Sequence, residues 1–478
     1  MAGRIKLIVA SVTQTGDIPH IAGVLALRSN INALILYDAG DDITLLKALY
    51  QRAATTNDRV HFLPISPSLV QEPQKTLYNT LKYCYNLLKP TTAQTNTFRA
   101  VLGDVAYTAF KNKYSVPVSN TDNHAKFVVL SLAEVTGEIA KAFRANRLNS
   151  YRLAAQSIIF DPVQLPINSI ISQDGKFGNV ALPSADKTVL LVWARYTGTK
   201  TDTGFNPEGD SDPTGQNQLV ASATKLGFSV ITVGDVPPLD MSPVVNNAPC
   251  QLGEFWTQTQ WKSRAAQCSF FAALMERYPG RLYQIGQKTG AMDFPALLGI
   301  PTIYIEDSQI PTTATARMRQ WTKPDSLQLY RRLEVLDPPS LPGKGARLHT
   351  ATFNDEVAAS DERRLIGEAE WRMVGLLLGL RGKWTNITGL ATEPVAISDI
   401  NDVVNGATPQ TLQTWKTRIN ALSDTDCQTE GFIRGYTADD LTKVETALKN
   451  LKTDYSGPAS IGNVIIRKSD GTYAARTQ

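Results

Sequence analysis

Four loops combine residue types that can hold an anionic ligand or move a proton. The fullest is Gly286-Gln287-Lys288-Thr289-Gly290-Ala291-Met292-Asp293. Its glycines allow a tight turn, Lys288 brings a positive charge, and the Thr289 hydroxyl joins backbone N–H groups at a helix start that can hold a diphosphate. Lys288, Thr289, Gly290 and Asp293 are therefore candidate phosphate-side residues. A second loop, Thr15-Gly16-Asp17-Ile18-Pro19-His20, places a carboxylate and an imidazole behind a glycine turn. Either Asp17 or His20 can act as a general base toward a sugar or alcohol hydroxyl. The same residues also suit a plain helix start, with Asp17 as its cap and His20 an ordinary half-buried side chain. In the third loop Arg195 directly follows an apolar run, which suits a bidentate phosphate contact, and Lys200 lies close behind. Glu208, Asp210 and Asp212 in that loop can hold a cation or a ribose hydroxyl, or simply be solvated. In the fourth, Gly234-Asp235-Val-Pro-Pro, Asp235 can reach a base or ribose, though the segment is also strong turn chemistry.

In open α/β sheets ligands bind beyond the C-terminal ends of the strands, so the flanking elements decide whether these loops converge. The sequence predicts strands over 5–12 and 33–37 with a helix between them running to about residue 28. A further helix carries Leu45, Leu46 and Leu49, with Asp41-Asp42 to cap it, and mainly helical pattern extends from 72 to 150. Phe127 to Leu132 reads equally as strand or helix. Residues 161–187, with Pro162, Pro166 and Pro183, read as a linker.

Four buried-type strands follow, over 188–194, 228–233, 281–285 and 301–305. They alternate with a helix opened by Pro213, an amphipathic helix running from Trp261 to Tyr278, and a short helix over 291–298. Strands alternating with helices imply a parallel sheet. After about 310 prolines interrupt the pattern, and helices are expected at 361–380, 409–422 and 438–452. The expected organisation is α/β. A first Rossmann-like domain covers 1–160, the linker 161–187 and a second Rossmann-like domain 188–330. A mostly helical extension over 331–478 packs on both.

The 478 residues suffice for two or three domains, and the net charge of +4 does not by itself call for nucleic acid. Basic clusters at 141–152 and 317–332 allow an RNA partner without an RNA-binding signature. Cys84, Cys250, Cys268 and Cys427, like His20, His61, His124 and His349, are scattered, so no metal site is expected. No stretch approaches the roughly 20 apolar residues of a membrane span. With no leader pattern at the N-terminus, the expected location is cytoplasmic.

The run Thr289-Gly-Ala-Met-Asp-Phe-Pro-Ala-Leu-Leu-Gly-Ile-Pro301-Thr-Ile resembles the donor-site segment of two-domain GT-B glycosyltransferases. The spacing is closest to the heptosyltransferase-like branch, in which a Thr-Gly pair precedes a short helix and Leu-Gly-x-Pro-Thr. Gly16-Asp17 is similar to the Gly-Asp pair that this branch carries after its first strand. The resemblance implies a GT-B-like fold and Asp17 as the base that deprotonates the acceptor. It implies Thr289 and Gly290 as the donor diphosphate site and Arg195 or Lys200 as the cationic contact. Fucosyltransferase-like enzymes of this architecture use a strand-end Arg in the same way.

Lys288 stands where the family usually has Asp, and Asp293 where it usually has His. Both changes argue against a heptose donor and leave the sugar open. The motif spans under a tenth of the chain, the element order about 4–307, and nothing after 330. The expected activity is metal-independent transfer from a nucleotide-diphosphate sugar, with no other cofactor, to an unidentified acceptor hydroxyl. The alternatives are another transferase acting on a large anion such as charged tRNA, and a non-catalytic binding protein of the same fold.

Overall fold

The structure is a computed structural model. It describes residues 5–12, 15–38, 40–55, 59–65, 127–159, 170–194, 213–234, 250–253, 261, 263–287, 289–307, 318–322, 330–335, 436–455, 465–467 and 473–475, with isolated positions between 385 and 418. The expected helices at 361–380 and 409–422 lie largely or wholly outside these residues.

The first half is built on β1 (Ile5–Ser11), β2 (Ile31–Asp38), β3 (Val60–Ile65) and β4 (Phe127–Leu130). They form a parallel sheet of order β3-β2-β1-β4. The ambiguous run at 127 is thus a strand, paired with β1. Helix α1 (Ile18–Leu27) leaves β1 and packs on α2 (Thr44–Ala54), α3 (Leu132–Ala145) and α4 (Arg147–Ile158). Asp42 Oδ1 accepts from the Thr44 N–H at the start of α2. Ser131 and Glu134 close a capping box on α3.

Buried Arg59 ties this half together. It donates to the carbonyls of Leu25 and Arg28 at the end of α1, of Ala54 at the end of α2, and of Ile31 on β2. Helix ends leave carbonyls without intrahelical partners, and one guanidinium fork here supplies donors to two such ends.

The second half holds β7 (Val189–Ala194), β8 (Ser229–Gly234), β9 (Cys250–Gln251), β10 (Leu282–Gln287), β11 (Thr302–Asp307) and β12 (Tyr330–Val335). These are parallel throughout, in the order β12-β11-β10-β7-β8-β9. Between them lie α5 (Pro213–Lys225), α6 (Arg264–Arg277) and α7 (Asp293–Leu297). Both halves are Rossmann-like α/β units.

Three expectations change. Helix α6 is not amphipathic: Ala265 to Met275 is buried without a break, and α2 of the first half also packs against it. The expected boundary at 330/331 falls inside β12, which extends the second sheet. The expected linker contains folded structure, a hairpin of β5 (Lys176–Phe177) and β6 (Val180–Ala181). Its Phe177 is buried against Trp261 and Phe270.

Helix α8 (Ala438–Tyr455) packs on α5 and β12, with Lys225 paired to Glu445. The hairpin of β13 (Ile465–Arg467) and β14 (Tyr473–Ala475) lies beside α4 and α6, touching both halves. One continuous set of buried side chains runs from Ile8 through both sheets to Leu451.

Two outcomes follow. Arg59→Ala should cost about 3 kcal/mol in a denaturant titration, because several buried carbonyls lose their donor together. Glu138 on α3 is the second case. Burial alone would raise its carboxyl, but Lys6 and Lys141 outweigh this and hold it below its ordinary value of 4.5. A depressed folded value adds stability above 4.5 that is lost as pH falls below it. Glu138→Gln should therefore lower stability by about 1 kcal/mol near neutral pH and flatten the acid limb of the stability–pH curve.

Candidate functional site

In each sheet one strand is flanked by connections that run in opposite directions. In the first sheet β1 lies between β2 and β4. In the second, β7 lies between β8 and β10. These are the topological switch points, where a crevice opens at the C-terminal strand ends. The loop after β1 is Gly16-Asp17. The loops after β7 and β10 begin at Arg195 and at Lys288. The four loops picked out by residue type therefore leave β1, β7, β8 and β10 at their C-terminal ends.

The structure also brings two of these loops together across the halves. A Cβ built on Gly290 would lie 2.6 Å from the Gly16 carbonyl oxygen and 2.7 Å from its Cα. Only a glycine at 290 lets the two backbones approach this closely. Below that contact α1 runs along α7. His20 Nε2 lies 3.0 Å from Asp293 Oδ2, and both side chains are 0% exposed. The other oxygen of Asp293, Oδ1, accepts from the Tyr330 hydroxyl on β12 at 2.7 Å. The Trp321 ring stands edge-on to His20 and to Tyr330. Its Nε1 donates to the Thr136 carbonyl on α3. One turn further along, a Cβ on Gly23 would meet Leu297 Cδ1 at 2.9 Å.

The 3₁₀ turn Gly290–Met292 is fixed from beneath. Thr289 stands at its N-cap and its hydroxyl accepts from the Ala291 N–H. The Gln284 amide, fully buried on β10, donates to the Met292 carbonyl and to Thr302 Oγ1, and accepts from Trp193 Nε1. Both N–H groups of that amide and its oxygen are engaged by neighbours, which holds the base of the turn in place.

Asp17 occupies the N-cap position of α1, but its side chain does not cap the helix. Its carbonyl accepts from His20 N and Ile21 N. The residue is 7% exposed, and its carboxylate lies close enough to Tyr50 to act on it. Burial first, and the Asp17 charge second, push the Tyr50 phenol well above its ordinary range. Asp17 thus sits one residue from the Gly16–Gly290 contact, at the edge of the interior.

His20 and Asp293 turn inward. Both are fully buried at the contact between the halves. Arg195, Lys200, Asp235 and Lys288 lie outside the described residues, as do Glu208, Asp210 and Asp212. Tyr330, Trp321 and Gln284 were not singled out from the sequence. Gln284 carries a usable signal, a polar residue inside Leu-Tyr-Gln-Ile, since a polar group in a strand buried on both faces must have partners.

The fold and its seam define a two-part α/β protein whose C-terminal strand edges adjoin at Gly16–Gly290. No protein-family model matches the chain, and no curated protein matches it. Among solved structures it is similar to the calicheamicin glycosyltransferase CalG4, at 11% identity and a TM-score of 0.27, covering 96% of this chain and 100% of that one. At that level the likeness carries no argument. Among the described residues, no group of three or more His, Cys, Asp or Glu is placed to hold a metal, and no helix is long and apolar enough to cross a membrane.

Gly290→Ala should destabilise the protein by about 2 kcal/mol, because its Cβ meets backbone that cannot rotate away. Gly16→Ala should be neutral within about 0.5 kcal/mol, since a Cβ there meets nothing within 4 Å. Thermal unfolding of the two variants checks the contrast.

Proposed function

We propose that the chain is a glycosyltransferase-like enzyme of GT-B type that moves a sugar from a nucleotide-diphosphate sugar to an acceptor hydroxyl, without a metal ion. The observation that carries this reading is the contact between Gly16 and Gly290. It sets the loop bearing Asp17, after the switch-point strand of one sheet, against the turn that follows β10 at the switch point of the other.

On this reading the donor lies along the second half, with its diphosphate at the Thr289-Gly290 turn. The leaving diphosphate gathers negative charge as the glycosidic bond to it breaks. Fixed donors and cations stabilise that charge most when they are already in place. The Gln284 amide and the Asp293–Tyr330 bond hold the turn in one geometry. Lys288, Arg195 and Lys200 follow β10 and β7 in sequence and supply the positive charge. The acceptor lies along the first half, and Asp17 takes the proton of the attacking hydroxyl. His20 and Asp293 hold the seam between the halves and touch neither substrate. The donor sugar, the base and the acceptor stay open.

A thermal-shift panel of nucleotides and nucleotide sugars tests the donor half of the proposal. A ligand at about 100 times its Kd should stabilise the protein by about 2.7 kcal/mol. Asp17→Asn should keep that shift and lose about 10²- to 10⁴-fold in turnover, the usual scale of a general base. A panel with no shift removes the donor site. Wild-type turnover in the variant removes the base.

A further inference from the structure

Three pairs of residues meet where α1 and the turn before it lie along α7 and its leading 3₁₀ turn: Gly16 with Gly290, His20 with Asp293, and Gly23 with Leu297. The steps are four and three residues on one side and three and four on the other. Each side therefore advances about one helical turn per rung, and the two helices run in the same direction. The outer rungs are close approaches of glycine, one to backbone at Gly16 and one to the Leu297 side chain. The middle rung is different. It is a fully buried pair of ionisable side chains 3.0 Å apart. A slip of one residue along the helix turns a side chain by about 100° and would leave both groups in the interior without their partner, a costly arrangement.

We infer that the His20–Asp293 pair sets the register of the two halves, and that Asp293 is thereby a positioning residue that fixes Asp17 relative to the Gly290 turn. The register stands on the contacts themselves. That Asp17 is what it positions for chemistry rests on the transferase reading. Each member of the pair is braced: Tyr330 holds Asp293 from β12, and Trp321 packs on His20 while donating to Thr136 on α3. The bracing thus involves both halves. Asp293 also opens α7 directly behind Gly290–Met292, so the pair anchors the backbone that carries the turn.

Amide hydrogen exchange on the free, full-length protein measures the register without any substrate. In Asp293→Asn the amides of Ile18–Leu27 and Asp293–Leu297 should exchange at least about tenfold faster, with those of Val189–Ala194 unchanged. Exchanging the two residues, His20→Asp with Asp293→His, should restore part of the lost protection, because the pair returns while the Tyr330 and Trp321 contacts to its original members do not. The inference is overturned by unchanged exchange in α1, by equal acceleration in β7, or by no restoration in the exchanged pair. Should Asp293→Asn not fold, Tyr330→Phe removes one hydrogen bond and keeps the ring. It should accelerate the same two segments less strongly, and no acceleration there overturns the inference. If exchange behaves as expected but Asp293→Asn turns over a nucleotide sugar at the wild-type rate, the positioning of Asp17 fails while the register stands.

Discussion

Two ionisable side chains with no exposure to solvent, His20 and Asp293, meet at 3.0 Å between the halves. Removing one partner of a buried pair typically costs about 3–5 kcal/mol, so the surroundings of such a pair are constrained far more tightly than those of an apolar contact. Those surroundings include the rest of the seam between the halves. Tyr330 brings in the last strand of the second sheet, Trp321 reaches α3 of the first, and the backbones of Gly16 and Gly290 are drawn into contact one turn away. The halves are thus joined through specific polar contacts at the edge where their strand ends open.

Parallel strand order does the remaining work. A parallel sheet sends every β-to-α loop to the same edge, and a central strand with neighbours connected in opposite directions opens a crevice there. Each sheet has one such strand, β1 and β7. Their loops, together with the loop after β10, carry the residue types able to handle a proton and a phosphate. The core beneath is continuous from one sheet to the other, and α8 and the β13–β14 hairpin lie against it. The seam is therefore backed by packed structure on both sides, which is what a site needs to hold reacting groups in one geometry.

The strands and helices of both halves were legible where the pattern was strong. The run Val189–Ala194 is entirely apolar or aromatic, as a strand covered on both faces should be. Pro213 marks a helix start by its backbone preference. Strand β12 was not legible, because Tyr-Arg-Arg-Leu-Glu-Val carries three charges in six residues and follows a proline-rich stretch. It is a sheet-edge strand whose arginines pair with Glu306, Glu334 and Asp454. The full burial of α6 was hidden because one neighbour that packs against it, α2, lies more than 200 residues away in sequence. At the site, Gly16, Asp17, Thr289 and Gly290 could be picked out by type and spacing. That His20 and Asp293 pair with each other could not, since nothing local relates two residues from different halves.

The central claim is that the diphosphate of a nucleotide donor lies at the Thr289-Gly290 turn, with Asp17 beside it. A crystal structure of the protein bound to a nucleoside diphosphate tests this directly. The account predicts the diphosphate within hydrogen-bonding distance of the backbone amides at 289–291, with the His20–Asp293 contact intact. A nucleotide bound elsewhere, or a diphosphate that leaves these amides untouched, would contradict it.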